Sequence, residues 1–183
     1  AAGEAGLRTA LVDRLPLKAM GEPAFDGRTT AIAYTSQRLF KALGVWDEAL
    51  GATAKGAFFV AQTAAPHLAR SPLGLLVLVE DVAGYDPWPL FAPHAAAKAA
   101  EAMLTRVLAR ALAPDVRVCG VAPGMVETPM TQGMNQKARD AIVAQIPVGR
   151  IGLPEDLWLA VKFCLECDYF NARTFDVDGG MGF

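Results

Sequence analysis

Acid–base chemistry is the first possibility that the residue types suggest, because a histidine and a lysine stand four positions apart in a helix-forming stretch. His94 and Lys98 open a long run of alanine and other strong helix formers. The i, i+4 spacing puts both side chains on one face of the predicted helix. An imidazole exchanges protons near neutral pH, but a nearby ammonium group disfavours its protonated form. Lys98 would therefore oppose the use of His94 as a cationic acid.

Thiol or metal chemistry is a second possibility, because Cys164 and Cys167 form a Cys-x-x-Cys pair. The pair lies in a predicted helix, no second pair exists, and His67 and His94 are far away in sequence. We therefore expect helix packing rather than a metal site or a redox centre. With Cys119, the chain has three cysteines. That number makes no disulfide framework and indicates a reducing cytoplasm.

The elements that must position these residues alternate between short apolar strands and helices. Residues 75–79 form an uninterrupted apolar run, which is typical of a strand buried on both faces. Helices are predicted over 94–112, after Pro93, and over 155–167, opened by Pro154. Further predicted strands cover 9–12, 29–34, 116–121 and 174–177, and another helical segment covers 46–68. This alternation predicts one α/β domain over residues 1–183, with a parallel sheet and helices on both faces.

Composition narrows the class of protein further. The 183 residues suit a single domain, and an apolar fraction of 53% with only 20% charged residues excludes disorder. The net charge of −2 argues against a nucleic-acid partner, and no apolar run is long enough to span a membrane. The mean hydropathy of +0.28 is high for a small soluble monomer. We therefore expect part of the apolar surface to face another subunit.

From Ala49 onward, over roughly three-quarters of the chain, the sequence resembles the short-chain dehydrogenase/reductase superfamily. Four segments carry this resemblance in the family's order: residues 52–58 in a helix, 117–124 matching "RVNxVxPG", 149–156 matching "RxGxPEDxA", and 176–180 matching "xVDGG". Thr128 follows the second segment at the family's spacing. The fold that this resemblance implies is a Rossmann-type, doubly wound parallel sheet.

The resemblance also identifies the positions that would carry the family's chemistry. Active members use a tyrosine and a lysine four residues later, a serine thirteen positions before the tyrosine, and an asparagine in the preceding helix. Those positions hold His94, Lys98, Asp81 and Thr53, so only the lysine is kept. Asp81 would orient His94 if the two lie as the serine and tyrosine do. A carboxylate at that position would also repel negative charge developing on a substrate oxygen.

The cofactor-binding half is expected to be trimmed. The family's glycine-rich turn, where the backbone approaches a pyrophosphate, has no counterpart before Leu7. The resemblance places Asp13 at the end of the second strand, beside an adenosine ribose, and Pro123, Gly124 and Thr128 on the nicotinamide side. We interpret all four as vestigial, with turn geometry favoured for the last three. No cofactor and no metal are therefore expected in this chain.

These departures favour a non-catalytic subunit over an enzyme. Hetero-oligomers occur in the superfamily, and one resembling case is the alcohol dehydrogenase of anaerobic toluene breakdown. We expect this chain to pair in the cytoplasm with a homologous catalytic dehydrogenase that holds NAD, in a hetero-oligomer such as a tetramer. Two alternatives stay open: a divergent NAD(P)-dependent oxidoreductase that uses His94, Lys98 and Asp81, and a small-molecule sensor on the same scaffold.

Overall fold

The computed structural model describes residues 49–182, in which helices pack against a three-stranded parallel sheet. The helices and strands are α1 (Gly56–Leu68), β1 (Leu75–Val79), α2 (Ala92–Leu112), β2 (Arg117–Pro123), α3 (Pro129–Gln132), α4 (Gln136–Val143), α5 (Pro154–Glu166) and β3 (Thr174–Val177). A π-helical turn, Gly51–Lys55, leads into α1. Two 3-10 turns, Val82–Gly84 and Pro89–Phe91, connect β1 to α2.

The three strands lie side by side in chain order and all run in the same direction. Leu75 pairs with Arg117 at one end of the β1–β2 ladder, and Val79 pairs with Val121 at the other. The β2–β3 ladder includes the pair Gly120 and Thr174. Each connection between neighbouring strands contains a helix, as parallel pairing requires. The parallel sheet predicted from the alternation of elements is therefore confirmed.

Alternate residues of β2 pack against helices on opposite faces of the sheet. On one face, Val118 is buried with Ala61 of α1 and Leu108 of α2. On the other face, Cys119 is buried with Cys164 of α5. The helices of the described residues thus cover both faces, which is the doubly wound arrangement expected from the resemblance.

The observed element boundaries differ from the predicted ones by one or two residues in three places. Helix α2 begins at Ala92 rather than at His94, because Pro93 fits inside the first helical turn, where its missing N–H is not needed. Helix α5 covers Pro154–Glu166 rather than 155–167. Strand β2 starts one residue later than predicted and continues to Pro123. The predicted strands 75–79 and 174–177 have the observed bounds.

Some of the predictions fall on residues that the structure does not describe. The predicted strands 9–12 and 29–34 and the first residues of the predicted helical segment 46–68 lie outside residues 49–182. Within that range, no helix combines the length and the apolar character that crossing a membrane would require.

Candidate functional site

The candidate site lies where β1 ends and α2 begins. Asp81 follows the last residues of β1 and caps the 3-10 turn Val82–Gly84, its Oδ1 accepting a hydrogen bond from the Ala83 N–H at 2.8 Å. The other carboxylate oxygen of Asp81 lies 2.9 Å from Nε2 of His94, in the first turn of α2. The structure therefore brings together the two residues that were expected to meet if they replace the family's serine and tyrosine.

Charge and hydrogen bonding define the state of the Asp81–His94 pair. Burial opposes ionisation of Asp81, but the hydrogen bonds from His94 and Ala83 and the positive charges of His94 and Lys98 lower its pKa overall. Asp81 is therefore an anion at neutral pH and acts only as an acceptor. Nε2 of His94 must carry the proton of this hydrogen bond. The imidazole N–H is thus directed to a carboxylate.

Lys98 lies one helical turn beyond His94, and its ammonium group is already bound. Nζ donates to the Val79 carbonyl at 2.9 Å and to Oε2 of Glu101 at 2.8 Å. The lysine and glutamate side chains are only 14% and 9% exposed, so water screens this ion pair weakly. Lys98 therefore joins the end of β1 to α2, and Glu101 offsets its charge. Sequence analysis missed Glu101, although its i+3 spacing from Lys98 on a predicted helix was a usable signal.

A buried carboxylate lies directly before Asp81. Glu80 is 3% exposed and accepts hydrogen bonds from the hydroxyls of Thr105 at 2.5 Å, Thr174 at 3.2 Å, and Tyr85. Gly120 leaves room for it, because a Cβ there would collide with the Glu80 carboxylate and the Thr174 hydroxyl. This network joins β1, α2 and β3 immediately behind the site. The signal that sequence analysis passed over was a charged residue directly after an apolar strand.

The tyrosine next to the site does not replace the missing catalytic phenol. Tyr85 donates its hydroxyl proton to Glu80. Burial, together with the hydrogen bond to Glu80 and the negative charge of that residue, raises the pKa of Tyr85 to about 12, against a smaller opposing effect of Thr174. The phenol therefore stays protonated at neutral pH and remains bound to Glu80.

Thr53, which stands at the family's asparagine position, has the hydrogen-bond acceptor for its hydroxyl within its own helix. Its hydroxyl donates to the carbonyl of Ala49 at 2.6 Å, inside the π-helical turn Gly51–Lys55. Such a bond to the carbonyl four residues earlier is common for threonine in helices. The other expected position, Asp13, lies outside the described residues.

The three residues expected on the nicotinamide side have contacts that shape the turn after β2. Pro123 is the last residue of β2 and pairs with Val177. The Gly124 N–H donates to the carbonyl of Val177 at 3.1 Å, and a Cβ on Gly124 would lie 2.7 Å from Cβ of Asp178. Thr128 is the N-cap residue of the short helix α3. Each of the three therefore has a structural role in these contacts.

The carboxyl end of the sheet is acidic beyond Asp81. Asp86, Asp176 and Asp178 line a small cavity with Tyr85. Burial, followed by the negative charges of Asp178, Glu80 and Asp86, raises the pKa of Asp176. Within residues 49–182, no group of three or more histidine, cysteine, aspartate or glutamate side chains is arranged to hold a metal ion. The carboxylates of Asp86, Asp176 and Asp178 would repel negative charge that develops on a ligand at this end of the sheet.

A doubly wound parallel sheet with a candidate site at its carboxyl edge defines a Rossmann-type α/β protein. Comparison with known families then identifies its family. The Enoyl-(Acyl carrier protein) reductase family matches residues 18–182. The chain belongs to this family and, with it, to the short-chain dehydrogenase/reductase superfamily.

The relatives that this chain resembles include reductases and dehydrogenases. The 3-oxoacyl-acyl-carrier-protein reductase FabG of Thermotoga maritima is 35% identical over 139 residues, 74% of this chain and 56% of that protein. The crystal structure of 3-hydroxyacyl-CoA dehydrogenase type-2 from Mycobacterium avium superposes with a TM-score of 0.73 at 30% identity, over 77% of this chain and 58% of the other. The chain thus spans little more than half the length of these relatives.

A third relative was solved with a dinucleotide. Gluconate 5-dehydrogenase from Burkholderia cenocepacia, in complex with NADP and tartrate, superposes with a TM-score of 0.69 at 30% identity, over 74% of this chain and 55% of the other. In this chain, residues 49–182 do not fit the family's chemistry on such a cofactor. His94 replaces the phenol and is bound to Asp81, and Lys98 is paired with the buried Glu101.

Proposed function

We propose that this chain is a non-catalytic subunit of a short-chain dehydrogenase assembly, in which an active homologous partner binds NAD and performs the reaction. The observation that carries the proposal is the 2.9 Å contact between Asp81 and His94, at the positions of the family's serine and tyrosine. The proposal includes a cytoplasmic location, because all three cysteines are free.

The chemistry of that contact argues against proton delivery to a substrate. Reduction of a carbonyl needs an acid aimed at the oxygen on which negative charge develops. Here the N–H of His94 is directed at a carboxylate instead, and breaking that bond would bring the developing alkoxide close to the anionic Asp81. Lys98 offers little compensation, because Glu101 offsets its charge in a shielded ion pair.

Exposed apolar side chains support the assembly part of the proposal. Phe59 of α1 is 51% exposed and Val107 of α2 is 52% exposed, while Leu159 of α5 is 65% exposed. In the resembling family, the helices corresponding to α1 and α2 form one subunit interface, and the last helix and strand often form another. Large apolar groups facing water on both segments are expected of a chain that buries them against partners. The toluene-pathway dehydrogenase is one example of such an assembly, and the proposal does not extend to its substrate.

Purification of the tagged chain from its native host tests the proposal. We expect a complex with a second dehydrogenase-like chain, seen by native mass spectrometry, that turns over NAD or NADH with a hydroxyacyl or oxoacyl substrate. The variants Asp81→Ala and His94→Ala in this chain should leave that turnover unchanged. Isolation as a homo-oligomer whose own turnover is abolished by His94→Ala would refute the proposal.

Calorimetry of the isolated chain with NADH and NADPH gives an independent test. We expect no binding at millimolar cofactor, because Lys98 is already paired with Glu101 and the aspartates at the carboxyl end of the sheet would repel an anionic dinucleotide. Micromolar binding by the chain alone would contradict the assignment of the cofactor to the partner.

A divergent NAD-dependent oxidoreductase is the second candidate, and the same pair of residues favours it. An imidazole held by a carboxylate, with an ammonium group one turn away, is an arrangement that can serve general acid–base catalysis. This candidate requires turnover by the chain alone, loss of turnover in His94→Ala, and a pH profile that changes in Asp81→Asn. Unchanged activity of the assembled complex in both variants would exclude it.

A further inference from the structure

The face of the molecule formed by α1 and α2 carries exposed positive charge and no exposed carboxylate. Helix α1 contains no acidic residue, and the single acidic residue of α2, Glu101, is buried in its ion pair with Lys98. The exposed cationic side chains on or beside the two helices are Lys55, Arg70, Arg106 and Arg110. This basic face therefore differs in charge from the chain as a whole, whose net charge is −2.

The exposed side of α2 has the spacing of a helix face that packs against another element. Its members recur at intervals of three and four residues, which places them along one side of the helix. They are Ala96, Ala99, Met103, Arg106, Val107 and Arg110. Met103 and Val107 are 53% and 52% exposed, so large apolar groups lie beside the two arginines. The two alanines extend the face with small side chains, over which a second helix can approach closely.

The arginines of this face have no acidic partner among residues 49–182. None of the ion pairs in that range includes Arg106 or Arg110. The next exposed carboxylate along the chain, Asp115, follows the end of α2 in the loop to β2. Residues 1–48 carry as many acidic as basic side chains, so their composition offers no excess of negative charge. An interface that covers the arginines therefore needs carboxylates from another chain.

A second copy of this chain is a poor occupant, because a two-fold interface sets a surface against itself. The exposed charges of α1 and α2 would then find no opposite charge on the same helices of the other copy. Burial of Met103 and Val107 against their symmetry mates would place the axis near residue 105. At that register the two Arg106 Cα atoms lie about 3 Å apart along the helix direction. Guanidinium groups brought together away from water repel each other.

We propose that the basic face binds an apolar, acidic helical surface on a different chain and discriminates against a second copy of this one. The proposal rests on the proposed function, to which it adds the chemistry of the partner's surface. Apolar side chains of the partner would cover Met103 and Val107, and its carboxylates would form charge-assisted hydrogen bonds with Arg106 and Arg110.

The arrangement of charge on α2 favours a protein partner over an anionic membrane. A helix that lies on a membrane surface separates its charged side from its apolar side. On α2, the arginines and the large apolar side chains share one side. A helix with apolar and acidic side chains in matching positions fits this mixture.

Charge reversal in the complex purified from the native host tests the proposal. We expect Arg106→Glu to weaken association with the second chain by about tenfold, and the double variant with Arg110→Glu by about 100-fold or more. The matched control is Lys137→Glu, which reverses an exposed cation on α4, outside the basic face, and should leave the affinity unchanged. A carbodiimide, which joins amines to carboxylates in contact, reports on the partner's chemistry. In the charge-conserving variant Arg106→Lys, position 106 should become linked to an aspartate or glutamate of the second chain.

Sedimentation of the isolated chain at low salt measures the discrimination against a second copy. We expect the double variant Arg106→Gln and Arg110→Gln to strengthen self-association by about threefold or more, because repulsion no longer opposes contact between the apolar side chains. The same variant should weaken the complex with the second chain. These opposite effects are not expected from a substitution that merely damages the fold, and unchanged self-association would contradict the discrimination.

Four results would overturn the proposal. A complex with a second chain whose affinity does not respond to either charge reversal would remove it and leave the proposed function standing. Isolation without a second chain, alone or as a homo-oligomer, would remove both. Linkage of position 106 to a carboxylate of the same chain would assign the face to an internal contact. Binding of the isolated chain to phosphatidylserine-containing vesicles, lost in Arg106→Glu, would assign it to a membrane surface.

Discussion

A carboxylate at position 81 changes what the side chain at position 94 can do. A serine hydroxyl both donates and accepts, so it can share a substrate oxygen with its neighbour, but an anionic carboxylate only accepts. Asp81 consequently draws the imidazole N–H toward itself at 2.9 Å. It also accepts from the Ala83 N–H at 2.8 Å, which ties the pair to the turn after β1. The Asp81–His94 pair therefore stabilises the junction between β1 and α2, and this stabilisation depends on the negative charge of Asp81.

We expect Asp81→Asn to be less stable than the unsubstituted chain above about pH 4, with the difference disappearing at lower pH. The pKa of Asp81 is lowered in the folded state, so its contribution is fully present above the unfolded-state pKa and is lost as pH falls through the folded-state value. Asparagine keeps an acceptor for the Ala83 N–H, so charge is the main change. Urea unfolding at a series of pH values measures this, and a stability difference that does not vary with pH would contradict it.

A second prediction at the residue scale concerns Gly120, which makes space for the buried Glu80. An added Cβ would press on the Glu80 carboxylate and the Thr174 hydroxyl, and both are held in the core by the network behind the site. We expect Gly120→Ala to lower the free energy of unfolding by about 2 to 4 kcal/mol, from overpacking and a strained buried hydrogen bond. Gly51→Ala is the matched control, because a Cβ there meets nothing within 4 Å. Equal effects of the two substitutions in urea unfolding would argue against the role of Gly120.

Between elements, Arg117 is the side chain that joins the end of α5 to the sheet. Its Nη1 donates to the carbonyls of Cys164 at 2.9 Å and of Cys167 and Phe170 at 3.0 Å each. These carbonyls lie at and just after the C-terminus of α5, where the last carbonyls of a helix have no N–H partner within it and a positive charge is favourable. One guanidinium therefore donates hydrogen bonds both to the end of α5 and to the turn that follows it.

We expect Arg117→Met to lower the free energy of unfolding by about 2 to 3 kcal/mol, because three partly buried carbonyls lose a charged donor. Amide hydrogen exchange should accelerate in residues 164–171 while β1 stays protected. The exposed Arg106→Met on α2 serves as the control and should change little. Uniformly faster exchange across the sheet would show that Arg117 supports the whole fold rather than this junction.

Elements were more predictable from the sequence than the contacts between them. The strands at 75–79 and 174–177 were predicted with the observed bounds, because the first is a continuous apolar run and the second directly precedes the turn at Gly179 and Gly180. The approach of Asp81 to His94 was expected only through the family resemblance. The Glu80 network was not predicted, since its hydroxyl partners Thr105 and Thr174 come from two other elements. Periodicity within one element carries no information on such partners.

For the whole molecule, the most informative feature is the amount of apolar surface that faces water. Met103 and Val107 lie one turn apart on α2 and are 53% and 52% exposed, and Leu159 on α5 is 65% exposed. The carboxyl end of the sheet, by contrast, carries aspartates and a site whose acid–base groups are bound to one another. Within the described residues, these exposed apolar side chains and the internally bound site are the two features on which the proposed assembly role rests.

This contrast leads to a prediction about assembly. We expect Val107→Asp to weaken association of this chain with its proposed partner by about 100-fold or more, because an unpaired carboxylate would be buried at the interface. Leu73→Asp is the matched control, since Leu73 is 60% exposed in the loop between α1 and β1 and is not part of the three helices that bear the apolar side chains. Sedimentation analysis of the purified complex distinguishes the two variants, with dissociation expected only for Val107→Asp. Dissociation by neither variant would place the interface elsewhere, and the same measurement on Leu159→Asp would then show whether α5 provides it.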